Sequence, residues 1–151
     1  MGARTDSRAR RVVQGAVAGA AAASVWAVAE PHVARGLGQR YTDGRPLGRF
    51  AGERAWLPVG VVAHVVNGAA FGAAIAVTGP RTFARTTRWV AVETVATWPL
   101  MAVADRVHPD RRSGRWPRLL TNPRTMAQAA IMHGVFAVVL GALLELARRR
   151  R

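Results

Sequence analysis

Hydrophobic and polar positions separate along the chain into four apolar windows, residues 12–29, 57–79, 89–104 and 125–144, of 18, 23, 16 and 20 residues. Together these 77 residues hold one formal charge, Glu93, and no arginine. At about 1.5 Å per helical residue, each window with its flanking turn can cross a hydrocarbon layer of roughly 30 Å. The pattern therefore predicts an all-α fold, an integral membrane four-helix bundle, with spans at about 12–30, 57–79, 88–106 and 125–146. Trp26, Trp56 and Trp89 sit near predicted span ends, where amphipathic rings favour the membrane interface; Trp98 lies within span three, and Trp116 in the second long loop is a candidate interface anchor. Gly15 and Gly19, continued by Ala23, and Gly68 with Gly72 form small-residue stripes that let spans one and two approach closely.

Punctuation refines the elements. Glu30-Pro31 ends the first span on this reading, and Asp43-Gly44 and Arg45-Pro46 mark turns in the long loop that follows. Pro99 removes the hydrogen bond to the carbonyl of Val95 and kinks span three. The domain plan is a basic disordered tail over 1–11, a four-span domain over 12–147 and a basic tail over 148–151. Trp26-Ala-Val-Ala-Glu30 and Met101-Ala-Val-Ala-Asp105 echo one another, as do His64 and His133 with their neighbouring Gly and Phe. Two tandem helical hairpins would explain the echo, their halves related about the membrane normal; chance in so alanine-rich a chain explains it as well.

Composition changes the picture in two respects. All 22 basic residues are arginine, giving a formal net charge of +14. A GC-rich coding bias accounts for this usage, which makes single arginines less informative. Nucleic-acid binding is not expected: the arginines flank the apolar windows, where anionic lipid headgroups attract them. The absence of cysteine excludes disulfides, thiol catalysis and thiolate metal sites.

Orientation is not decided by charge, because eleven arginines fall on each side of a four-span topology. Arg8, Arg10, Arg11 and residues 148–151 lie closest to their spans and tilt the expectation toward both termini in the cytoplasm of a cell membrane. The tie is also what dual insertion and antiparallel pairing would need. The basic stretch before residue 12 and Ala27-Val28-Ala29 resemble a cleavable signal peptide, although the apolar run is longer than usual for one.

Glu93 is the sharpest chemical feature. A carboxylate inside a span costs about 2.5–3.5 kcal/mol on insertion scales, so it should face a cavity, a partner or the bundle interior. With Thr97 one turn on, it forms a candidate proton or cation site; near Trp89 it could instead act as an interfacial acid paired with Arg85 or Arg88. His64, Asn67 and His133 are the other candidate intramembrane polar residues. His64 and His133 match in depth, whereas His64 and Glu93 enter from opposite sides, which disfavours a three-residue metal site. Haem ligation by the two histidines is allowed by depth alone. No metal and no cofactor is expected. Arg111, Arg112 and Arg115, with Arg118 and Trp116, are candidate contacts for lipid headgroups. Asp105, His108 and Asp110 match no trusted hydrolase or metal pattern.

No nucleotide-binding or hydrolase motif occurs. The expected function is therefore a small bacterial multi-pass membrane protein without assignable enzymatic activity, in an accessory or structural role. Its partners would be anionic lipids and a second copy or another membrane protein. The alternative is a proton- or cation-coupled small transporter or channel built on Glu93.

Overall fold

The computed structural model describes residues 2–78 and 82–150. Gly79, Pro80 and Arg81, where the second span ends and the short link begins, lie outside the described residues, as do Met1 and Arg151. The chain is all-α: α1 (Gly2–Gly36), α2 (Gly44–Gly48), α3 (Trp56–Thr78), α4 (Phe83–Thr97), α5 (Met101–Val107), α6 (Pro109–Arg112) and α7 (Pro123–Arg149), with 3-10 turns at Arg49–Ala51 and Trp98–Leu100. Three helical stretches, Arg8–Gly36, Trp56–Thr78 and Pro123–Arg149, are long and apolar enough to cross a membrane. They fit a multi-pass membrane protein.

The helix bounds differ from the apolar windows. The first span does not stop at Glu30-Pro31; α1 carries Pro31 inside it and runs on to Gly36. Packing outweighs the lost hydrogen bond, since Ala34 beyond the proline is buried. The helix closes instead at Gly38, whose φ of +68° suits the left-handed residue that terminates helices. From Gly2 onward the basic stretch forms the start of α1. The third expected segment, 88–106, runs as α4, the 3-10 turn and α5 in succession, with the interruption at Pro99, which lacks the N–H that would continue the α-helical ladder.

α1 and α3 pack through their glycines, as the stripes predict. A Cβ on Gly68 would lie 2.6 Å from the Ala23 Cβ, and one on Gly72 would lie 2.9 Å from the Gly19 Cα. The backbones meet where no side chain larger than hydrogen fits. α1 also packs on α7, and α7 on α4, which gives the order α3, α1, α7, α4 around the bundle. The buried core at these seams includes Trp26, Ile75, Val90, Met132 and Leu140. Among the described residues, α3 makes no extended backbone contact with α4 or α5.

The ends of the bundle are pinned differently. At one end Glu145, near the close of α7, accepts the Phe83 N–H at 3.0 Å and caps the start of α4. At the other end, Asp105 in α5 accepts the Leu119 N–H at 3.0 Å, and Asn122 caps α7 by accepting from Arg124 and Thr125. α4 and α5 thus carry the chain from one end of α7 to the other.

Candidate functional site

The helices enclose a cavity of about 680 Å³ that abuts the gap between α3 and α4–α5. α3 contributes His64, Asn67 and Phe71, α4 contributes Glu93 and Thr97, and α7 contributes Gln128 and His133. All five candidate intramembrane residues therefore line one space.

The helix registers explain how they meet. Glu93 lies ten residues beyond Phe83 in α4, deeper than a span beginning near residue 88 would place it. Because α4 and α7 are antiparallel and adjacent, that depth brings it level with His133. Glu93 Oε2 stands 3.6 Å from His133 Nε2. Thr97 Oγ1 donates to the Glu93 carbonyl at 2.8 Å and lies 3.4 Å from Oε1, one turn along the same face. The contact is with a histidine on α7 rather than with the interfacial arginines Arg85 and Arg88.

The second ring nitrogen fixes what the pair can do. His133 Nδ1 lies 2.8 Å from the Ala129 carbonyl oxygen. A carbonyl only accepts, so Nδ1 carries a hydrogen and donates. A neutral imidazole in this tautomer would turn its Nε2 lone pair toward the carboxylate. The contact becomes attractive when the pair holds one further proton, on the imidazole or on the acid. Both side chains are partly open to the cavity, 22% for His133 and 33% for Glu93.

Trp26 organises the rest of the wall. Its ring meets His64 edge-on at 4.9 Å and His133 at 4.7 Å, so an indole occupies the space between the two imidazoles. Among the described residues, no group of three or more His, Asp or Glu is arranged to hold a metal ion.

The structure adds residues that spacing alone did not flag. Glu30 is buried, with 3% exposure, and accepts the Asp43 N–H at 2.9 Å and Gln128 Nε2 at 3.2 Å. Gln128 also donates to the Tyr41 carbonyl at 3.1 Å and accepts from Gln39 at 3.2 Å; Gln39 accepts from Thr125 at 3.0 Å. This connected network ties the end of α1 and its following loop to α7. Gln128, polar within an apolar run, is its sequence-level signal. Asp43 reads as a turn residue, yet its side chain lines the cavity and burial raises its carboxyl above the ordinary value, with Tyr41 and the histidines opposing the shift.

A polar cluster stands at the loop end of the bundle. Asp110, 1% exposed, pairs with Arg45 Nε at 2.7 Å and Arg49 Nε at 2.9 Å. Burial alone would raise this carboxyl, but the hydrogen bonds and charges of the two guanidiniums outweigh it and hold the group below the usual carboxylate range. Glu53 completes the cluster through Arg49 at 2.9 Å and through Arg115. His108 stacks on Trp116 at 4.0 Å and meets Phe50 edge-on at 5.4 Å.

The three arginines expected at lipid headgroups thus carry internal contacts as well. Arg115 joins the cluster, Arg111 pairs with Asp105 at 3.5 Å, and Arg112 donates to the Arg106 carbonyl at 3.4 Å. No protein family, curated protein or solved structure matches the chain.

Proposed function

We propose that the protein is a proton-coupled carrier of a small solute, with the cavity as its binding site and the Glu93–His133 pair as its proton site. The observation that carries the reading is the pair itself. A carboxylate and an imidazole whose Nδ1 is committed to Ala129 face each other inside a solute-sized space, and they need a shared proton to attract. Thr97 is a positioning residue for Glu93. The reading assigns the chain no covalent chemistry.

The carrier has four crossings, α4 with α5 forming the fourth. Their course between the two ends of α7 supports this, and it places both termini on one side, which we take as the cytoplasmic one. Two tandem hairpins, α1 with α3 and α4–α5 with α7, also fit. Glu30 and Asp105, the echoed acids, each accept a backbone N–H from the loop that follows, at Asp43 and at Leu119. In that scheme the α3/α4 side, without extended backbone contact, is the counterpart of the packed α1/α7 seam.

An accessory role through anionic lipids has narrower support, from the exposed Arg112, Arg115 and Arg118 at the loop end. Replacing Arg112 and Arg118 with Gln should lower co-purified anionic lipid if that role holds, and should leave it unchanged otherwise.

The carrier reading is tested in proteoliposomes carrying an imposed pH gradient and a panel of cationic, neutral and anionic apolar probes. At least one probe should accumulate above empty liposomes, and Glu93→Gln should abolish that uptake while the protein still inserts. Gradient-driven uptake that survives in Glu93→Gln, or none for any probe, overturns the proposal.

A further inference from the structure

We infer that the solute is a hydrophobic organic cation, an amine or quaternary centre on an apolar body, that enters from the lipid and displaces the proton of the Glu93–His133 pair. The inference rests on the carrier reading and deepens it.

The chain has 22 arginines against eight acids, yet among the described residues no arginine lines the cavity. Among the described residues, its formally charged lining groups are Asp43 and Glu93. So strong an exclusion of positive charge, in a protein otherwise rich in it, leaves an organic anion without a counterion in a medium where an unpaired charge is costly. A cation has the reverse prospect, with the Glu93 carboxylate available once the shared proton leaves.

The apolar wall supports the same class. Trp26, Phe71 and Phe136 form a contiguous aromatic surface, with Phe136 6.2 Å from Trp26 and 6.0 Å from Phe71. Aromatic faces attract cations, more strongly where water is excluded. They also shelter an apolar body.

Access points to the bilayer. Among the described residues, α3 and α4–α5 share no close backbone seam, and apolar side chains at the cavity wall, Leu100 and Val103 among them, are exposed. A molecule of this class concentrates in lipid and meets the site from there. On binding, the proton shared by Glu93 and His133 passes to water and the cation takes its place beside the carboxylate. One positive charge replaces another, so the charge of the site does not change.

The experiment uses tetraphenylphosphonium and tetraphenylborate, nearly equal in size and opposite in charge, added to the purified full chain in detergent with tryptophan fluorescence as readout. Saturable binding of the phosphonium at least tenfold tighter than the borate is expected, weakening as pH falls, with proton release in weakly buffered solution. Glu93→Gln should lose at least tenfold in phosphonium affinity, and Glu93→Asp should retain most of it. Circular dichroism and gel filtration check that each variant is folded.

Equal affinity for both ions, or preference for the borate, overturns the cation assignment; gradient-driven uptake of another probe would then leave the carrier reading standing. Phosphonium binding without proton release overturns the displacement. Binding unchanged in Glu93→Gln places the cation elsewhere and overturns the inference. Should Glu93→Gln fail to fold, proton release and the phosphonium-to-borate ratio in the unaltered protein decide the matter.

Discussion

Asp110 shows how one residue can hold two loops. Its carboxylate is nearly inaccessible and bridges Arg45 and Arg49, which lie more than sixty positions earlier in the chain. Removing one partner from a buried pair leaves the other charge uncompensated, so Asp110→Asn should destabilise the fold by about 3 kcal/mol, measurable by denaturant titration in detergent. The pH dependence follows from the lowered carboxyl. Its stabilisation is present above the unfolded value of about 4 and fades as pH falls through the folded value, so the cluster should loosen in acid. Asp43 has the opposite sign. With its folded carboxyl raised, its contribution is greatest in acid and is lost as pH rises. Asp43→Asn should therefore raise the thermal midpoint at about pH 8 more than at about pH 4. No such asymmetry would mean that Asp43 is not held in the protonated-favouring environment described.

At the level of helices, the glycine stripes are the most legible feature. Their spacing announces close contact, and α1 and α3 meet along them. Gly68→Leu should push the two helices apart at a cost of about 1–3 kcal/mol, the range for overpacking a tight contact, and should lower the midpoint of thermal unfolding. Gly134→Ala, with open space around it, serves as the neutral comparison. The end of α1 was not legible in the same way. Glu30-Pro31 reads as a terminator because proline weakens a helix locally, but burial of Ala34 and the Gly38 turn decide where the helix stops. The third segment was half legible: Pro99 gives the break, while the start at Phe83 rests on the Thr82 cap, which accepts the Arg85 N–H, and on Glu145 of α7, which accepts the Phe83 N–H. That six-residue difference in starting point is why the meeting of Glu93 with His133 could not be read from the windows alone. Glu93 stood out as a lone charge, and its partner required the register.

On the scale of the whole molecule, apolar windows gave the all-α membrane character, and charge counting could not give orientation. A reporter tag at each terminus should give the same cytoplasmic signal if the chain crosses four times. Signals on opposite sides would require an odd number of crossings and would remove α4–α5 from the membrane. The grouping of Asp43 and Gln128 at the cavity, both bonded to the buried Glu30, escaped sequence reading because loop and helix residues far apart in the chain converge only after the helices pack.

The gap between α3 and α4–α5 also bears on how fast the inferred solute would reach its site. Partition between lipid and buffer is an equilibrium, so half-saturation against free aqueous solute is the same by either route, and the route is read in the rate. For solutes of one charge entering sideways, the binding rate at a fixed free aqueous concentration should rise with the partition coefficient. A water-facing mouth would give rates set by the free aqueous concentration alone.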